Sequence, residues 1–240
     1  MANYPQRMFD AVSDFAAIGT PQGVTDKLAI LLGSFGYTSF LVTSIPEPPL
    51  RLEPYILVNG WPKPWTEHYI ARDYYKHDPV AAWARKTVNP FDWREAPYDR
   101  EQDRQAAEIM NVATDFGLVE GFLVPIVRSV GFQACVTMAG RKPDLDPMAK
   151  RVIHGISVFA YMRISTLLGE QIKSKGALSA TEKEILSWAA IGKTSWEIGQ
   201  ILNITKESVD ELAKRAAKKL DAVNRTQAVV NALCRGEISI

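Results

Sequence analysis

The sequence predicts an α+β protein of two domains, with helices and strands mixed through residues 1–168 and an all-helical unit at 178–240. Three observations predict it. Two amphipathic stretches precede β-branched and aromatic runs of strand length, an order that builds a helix-covered layer rather than a βαβ repeat. A polar, glycine-bounded stretch, GEQIKSKGA at 169–177, reads as a linker. Beyond it Ser179, Thr194 and Thr205 each stand just ahead of an apolar-periodic segment, where helix caps belong.

Taken in order, residues 6–18 and 23–35 carry apolar positions at helical spacing (Met8, Phe9, Val12, Phe15; then Val24, Leu28, Leu31, Leu32), with Thr20-Pro21 and Gly23 between them. The runs at 38–45 and 54–61 read as strands on either side of a proline-rich break at 46–49. Residues 99–116 form a further amphipathic helix ended by Gly117. Two strands follow, at 121–129 and 131–140, joined at Ser129–Gly131. On the second, Gln133, Cys135 and Thr137 share one face and Phe132, Ala134, Val136 and Met138 the other. Asp146-Pro147 opens a long helix to about Leu168, with Val152, Ile153, Ile156, Phe159, Ala160, Ile164 and Leu167 on its apolar side.

The stretch from Trp61 to Trp93 stands apart. It holds four tryptophans with Tyr69, Tyr74, Tyr75 and Phe91. Trp65 and Tyr69 are four apart and share a helix face. Thr66 is a candidate cap for that helix, which is expected to reach about Tyr74, and Asp78-Pro79 reads as a second N-cap with proline at the first helical position. Taken alone, Asp-Pro is a cap, and a Trp/Tyr pair at helical spacing is core.

Taken together, they are more. Trp65, Tyr69, Asp78, Pro79, Trp93 and, further on, Gly121 fall at the spacings of six hallmark positions of the autoinducer-binding domain of LuxR-family quorum-sensing regulators, which this half of the chain resembles. The resemblance implies an α/β/α sandwich and an N-acyl-homoserine lactone ligand. Such a ligand offers a ring carbonyl, an amide N–H and an acyl carbonyl on an apolar tail. An indole N–H donates, a carboxylate accepts, and a phenol does either. By resemblance Trp65 donates to the ring carbonyl, Asp78 accepts from the amide, Tyr69 donates to the acyl carbonyl, Trp93 walls the pocket, and Gly121 lets a strand approach closely. Cys135 and Thr137 lie on the strand face the resemblance turns toward the ligand, with Thr137 at a hydrogen-bonding position; the alternative is a half-exposed strand whose polarity means nothing. Trp61 stands where many members carry tyrosine, which predicts a pocket altered at the start of the acyl chain and favouring a short, branched or flat aryl tail.

In the last sixty residues, Ser179 with Glu182 is a capping box, Thr194 opens a helix at 195–202, Thr205 opens a longer one to Leu220, and a fourth follows Asn224. A short helix, a tight turn and a longer helix are what a helix-turn-helix requires. The run LSATEKEILSWAAIGKTSWEIGQILNITKESV resembles the LuxR-type DNA-binding domain, with Glu182, Leu186 and Gly192 in place. Phosphate contacts fall to Lys193, Lys206, Lys214, Arg215, Lys218, Lys219 and Arg225, and to the helix starts at Thr194 and Thr205. Asp210 and Glu211 depart from the family's neutral or basic character, and lying about 100° apart on a helix, at most one of them faces a groove squarely.

Composition fits this reading. The chain has 240 residues, 47% hydrophobic, with a formal net charge of +1, so it shows no overall polyanion preference and a basic face has to be local. Cys135 and Cys234 are far apart and read as reduced thiols. The N-terminus lacks a signal peptide's apolar core, no run approaches a membrane span, and no metal motif, phosphate loop or Ser/His/Asp set stands out. The expectation is a cytoplasmic, ligand-responsive transcription regulator that needs no cofactor and no metal. The resemblance extends it to a homodimer on two-fold symmetric double-stranded DNA, with RNA polymerase as a further partner. Two alternatives compete with it: an antagonist that forms mixed dimers with a related regulator and binds DNA poorly, supported by the acidic helix, and a lactone-degrading enzyme, which lacks a metal cluster or an activated nucleophile.

Overall fold

The structure, a computed structural model, describes residues 4–127, 133–176 and 178–239. The expected strand junction at Ser129–Gly131 lies outside the described residues. The chain divides into two compact units, the first built from residues before Leu168 and the second from Leu168–Ile240.

The first unit opens with α1 (Tyr4–Ala17) and α2 (Pro21–Gly33). Thr20 caps α2 by accepting from the Gly23 N–H, and Pro21 sits where its missing N–H costs nothing. Val24, Leu28 and Leu32 recur every four residues and are fully buried. There follow β1 (Ser39–Ser44), β2 (Ile56–Gly60), α3 (Lys63–Ala71), α4 (Pro79–Ala84), β3 (Phe91–Asp92), α5 (Arg104–Asp115), β4 (Glu120–Ile126), β5 (Ala134–Gly140) and α6 (Pro147–Gly176).

All strand pairs are antiparallel, in the order β2-β1-β5-β4-β3. Register decides which side chains meet. Leu41 of β1 and Leu123 of β4 both pair with Thr137 of β5, and Thr43 pairs with Cys135, so these five share one face. The alternate residues Phe40, Val42, Phe122, Val124, Val136 and Met138 point the other way and are buried as well. Both faces are therefore covered. On the second face α6 lays the Lys150 ammonium over the Phe122 ring at 5.8 Å and bonds Asp92 at 2.6 Å. The Arg163 guanidinium holds the α1–α2 corner through two bonds to the Ile18 carbonyl, at 3.0 and 2.8 Å. Each fully buried Leu, Ile or Phe contributes about 1.5–3 kcal/mol to this core.

Several expectations need correction. Thr66 does not cap α3: Pro62 holds the cap position, and the Thr66 hydroxyl reaches Asn59 and the Pro62 carbonyl instead. That helix stops at Ala71 because Asp73 turns left-handed (φ 52°) before a short 3₁₀ turn at Tyr74–Lys76. The charged start of the 99–116 stretch is a turn capped by Asp99, and α5 begins after Asp103. β3, two residues long, carries no pattern to read. α6 continues to Gly176, through the stretch expected to be a linker. Its Pro147–Gly169 segment is, against expectation, long enough and apolar enough to cross a membrane (mean hydropathy 1.3). Val152, Ile153, Ile156, Ala160, Ile164 and Leu167 along it are buried in the protein, the pattern of a core helix.

The second unit holds α7 (Ala180–Ala190), α8 (Ser195–Leu202), α9 (Lys206–Lys219) and α10 (Arg225–Cys234). Ile185, Ile198, Val209 and Ala213 knit the first three, and Leu186, Ala216, Leu220, Ala228 and Ala232 form an adjoining cluster. The turn between α8 and α9 is tight because Asn203 adopts φ 53° and Gly199 leaves room for the Ile204 carbonyl, which would lie 2.7 Å from any Cβ there.

Candidate functional site

The sheet face carrying Leu41, Thr43, Leu123, Cys135 and Thr137 forms the floor of a mostly apolar cavity with a few polar groups, the character of a small-molecule site. α3, α4 and α5 complete it with Trp65 and Tyr69, Val80 and Ala81, and Ile109 and Met110. Seven of the eight residues that the sequence nominates for the ligand (Trp61, Trp65, Tyr69, Asp78, Trp93, Cys135 and Thr137) line this one cavity. The eighth, Gly121, lies behind its wall: a Cβ there would sit 1.9 Å from the Trp93 ring, so only glycine lets that indole lie flat on β4.

Asp78 plays two parts at once. Its Oδ1 caps α4, accepting from Val80 N–H at 2.8 Å and Ala81 N–H at 3.3 Å. Its Oδ2 accepts the Tyr69 hydroxyl at 2.7 Å. A carboxylate has about four lone-pair sites, so three bonds leave one acceptor position on a half-buried group that lines the cavity. Burial pushes the Asp78 carboxyl above the usual aspartate range, against the pull of Tyr69 and the two backbone N–H groups. Burial, with the charge of Asp78 beside it, drives the Tyr69 phenol well above its ordinary value, so Tyr69 is the donor. Burial likewise pushes the Cys135 thiol up, which leaves it a small apolar lining group rather than a nucleophile.

The donors are tryptophans. Trp93 Nε1 donates to the Thr137 hydroxyl at 2.9 Å, fixing both side chains. Trp65 Nε1 and Trp61 Nε1 are shielded from water and have no acceptor within the protein. Their rings meet edge to face at 6.2 Å, and each also meets Tyr69 edge to face, at 5.5 Å for Trp65 and 5.2 Å for Trp61. Buried donors left unpaired cost about 1–3 kcal/mol each. A cavity with two unmet donors, one remaining carboxylate acceptor and otherwise apolar walls is built to recognise a largely apolar molecule that carries carbonyls and an N–H.

In the second unit the polar groups pair with one another. Glu182 is buried, yet hydrogen bonds from Lys219 (2.7 Å) and the Ser179 backbone (2.7 Å) outweigh burial and hold it below the usual glutamate range. Thr194 and Glu197 form a capping box, and Lys193 bonds Glu197 at 3.0 Å; the Thr194 backbone N–H first, then Lys193 and the Thr194 hydroxyl, hold Glu197 down at about 2. Thr205 caps α9 through the Ser208 N–H. Asp210 turns to α8, where it accepts from the Ser195 hydroxyl at 2.5 Å, and Arg225 donates to that same hydroxyl at 2.8 Å and to the Lys193 carbonyl. Arg225 is thus a structural brace in this fold. Lys206, Lys214, Arg215 and Lys218 stand exposed along α9, together with Glu211.

These two constellations match known families. Residues 20–164 match the autoinducer binding domain, and residues 176–232 match the bacterial regulatory proteins of the luxR family. The chain belongs to the LuxR family. It is 39% identical over 227 residues to the transcriptional activator protein BjaR1 of Bradyrhizobium diazoefficiens, covering 93% of this chain and 94% of that protein. It is 40% identical over 235 residues to RpaR of Rhodopseudomonas palustris, an HTH-type quorum sensing-dependent transcriptional regulator, covering 98% and 96%. In fold it is similar to Escherichia coli SdiA, with a TM-score of 0.75 and 22% identity over 98% of each chain. This LuxR-family member is an autoinducer-binding, DNA-binding transcriptional regulator of quorum sensing, and the relatives it matches are regulators rather than enzymes.

Sequence reasoning missed Tyr75 and Thr43, which also line the cavity. The left-handed Asp73 breaks the helical phase ahead of Tyr75, so spacing from Trp65 does not reach it. Thr43 sits on a strand read only as β-branched and aromatic.

Proposed function

We propose that the ligand of this regulator is an N-acyl-homoserine lactone, bound by the cytoplasmic protein as a homodimer that controls transcription from a two-fold symmetric site. The observation that carries the ligand reading is the pairing, in one cavity, of the unmet Trp65 N–H with the last acceptor position of Asp78. A ring carbonyl answers the first and an amide N–H the second. Trp93, held by Thr137 and backed by Gly121, forms the wall, and Cys135 adds lining. Identity of about 40% to two quorum-sensing regulators supports the reading.

Dimerisation is supported by α6, which exposes Phe159 (41%) and Met162 (56%) three residues apart on one side. DNA contact falls to Lys206, Lys214, Arg215 and Lys218, with the starts of α8 and α9 at Thr194 and Thr205, and Lys193 beside its glutamate. The antagonist reading loses part of its support, because Asp210 is engaged with Ser195, which leaves Glu207 and Glu211 as the exposed carboxylates of α9. The test is thermal unfolding of the purified chain against straight, branched and aryl lactones, with mass spectrometry of any co-purified species. A rise in Tm with lactone concentration supports the reading, and no rise with any of them refutes it.

A further inference from the structure

A molecule lodged between a sheet and three helices enters through one of their walls, and one stretch of wall is thin. On the outer side of Tyr69 and Tyr75 lies a second, smaller hollow, rimmed by Arg51, Glu53, Asp73 and Lys76. Leu52, Tyr69 and Tyr75 line both this hollow and the cavity, so a single layer of side chains separates the two. The tyrosines are anchored: Tyr69 donates to Asp78 at 2.7 Å, and Tyr75 donates to the Pro46 carbonyl. Leu52 is apolar and makes no such bond. It is 4% exposed, although Leu50 and Arg51 just ahead of it stand in solvent. Leu52 belongs to the link between β1 and β2, which is pinned towards both ends. The Ile45 N–H bonds the Gln133 carbonyl at 2.7 Å, Arg85 reaches Glu47 at 3.5 Å, and the Thr43 hydroxyl bonds the Tyr55 carbonyl at 3.0 Å. Between these pins the backbone bonds described are local ones, from the Leu50 N–H to the Glu47 carbonyl and from the Tyr55 N–H to the Leu52 carbonyl. The burial of one leucine therefore holds this strap down, and such a contact opens without stranding a polar group.

We propose that Leu52 is the gate of the ligand cavity. The strap Pro48–Glu53 swings outward on its pinned ends, Leu52 leaves its place beside Tyr69 and Tyr75, and the ligand passes between the outer hollow and the cavity. Closure returns Leu52 to the wall behind the bound molecule. This gate goes beyond the lactone reading and needs only that the cavity holds the ligand, whatever its acyl chain.

Cys135, buried on the cavity floor, supplies a test that needs no ligand. In the full chain carrying Cys234→Ser, methyl methanethiosulfonate is added and modification of Cys135 is followed by mass spectrometry. Leu52→Ala is expected to speed that reaction roughly tenfold or more, since burial of the leucine is what keeps the gate shut. Ile109→Ala removes a comparable side chain from the α5 wall of the same cavity and is expected to leave the rate little changed. No acceleration in Leu52→Ala, or equal acceleration in the two variants, overturns the gate. Should Leu52→Ala fail to fold, Leu52→Val, one methylene smaller, is read in the same way with a rise of roughly fourfold. Straight-chain, branched and aryl lactones followed by stopped-flow tryptophan fluorescence separate this proposal from the lactone reading. For any lactone that binds, Leu52→Ala raises the association and dissociation rate constants together, and a rise in dissociation alone makes Leu52 a lining residue and overturns the gate. If none binds, the lactone reading falls and the Cys135 rates still decide the gate.

Discussion

The two units of this chain treat their polar side chains in opposite ways. In the first, Trp61 and Trp65 bury N–H groups with no acceptor, and Asp78 keeps one acceptor position beside them. In the second, Ser179 with Glu182 and Lys219, Thr194 with Glu197 and Lys193, and Ser195 with Asp210 and Arg225 close on one another. A buried donor with no partner in the protein calls for an explanation, and where it lines a cavity a ligand is one. A domain completes its own polar network when the task is to hold a rigid surface. Two unmet indole donors mark the cavity, and α9 is marked by the cations that remain exposed once the internal pairs are removed.

The largest effect follows from breaking the unsatisfied side of this contrast. At a lactone concentration a hundredfold above Kd the unsubstituted chain gains about 2.7 kcal/mol of stability. Asp78→Ala is expected to lose most of that gain, and about 1 kcal/mol more without ligand because the α4 cap goes with it. Thermal unfolding with and without lactone separates the two losses. Next in size is Gly121→Ala. The added methyl group must displace the Trp93 ring, at a cost of about 1–3 kcal/mol, and Trp93 takes its bond to Thr137 with it. Stability and lactone affinity should fall together.

On the satisfied side, Asp210→Asn weakens the tie to Ser195 and should lower stability by about 0.5–1.5 kcal/mol. Glu211→Gln should change stability by less than about 0.5 kcal/mol yet alter which bases are preferred, since its exposed carboxylate can accept from cytosine's amine. Chemical denaturation beside selection from a randomised duplex pool measures both. If Asp210→Asn leaves stability unchanged, the internal network does not brace these helices.

The units should also part company in acid. Asp78 has its carboxyl raised, so its charged form disappears at a higher pH than an ordinary aspartate's. A ligand N–H favours the charged form, and lactone affinity should weaken as pH falls through that raised value. Glu197 is lowered from 4.5 to about 2, and Glu182 is lowered as well. Their stabilisation is complete above the ordinary glutamate value and is lost only as pH falls through the lowered ones. Binding titrations and unfolding followed from pH 7 downward should show ligand affinity failing before the helical unit does. The smallest effect is Lys214→Ala, which should weaken binding to all DNA sequences alike and reduce the salt slope by about one. Lys193→Ala should do less, because Glu197 already holds that ammonium.

Much of this was legible in the residues. Trp65, Tyr69 and Asp78 come together because i,i+4 spacing on α3 and a proline-fixed helix start on α4 are local rules. The alternation that sends Cys135 and Thr137 to one face survives because antiparallel register preserves period two. What could not be read depends on contacts distant in sequence or on single backbone angles. The Asp210–Ser195 bond joins residues fifteen apart across the α8–α9 turn. The end of α3 hangs on one left-handed aspartate, and the run of α6 to Gly176 overrides the local signal of Gly169.

The central claim is that the unmet donor of Trp65 exists for a ligand, and thermal unfolding of Trp65→Phe beside the unsubstituted chain, across a lactone titration, tests it most directly. The account predicts a Tm that climbs with lactone concentration in the unsubstituted chain and stays nearly flat in Trp65→Phe. Equal climbs in the two proteins would contradict it.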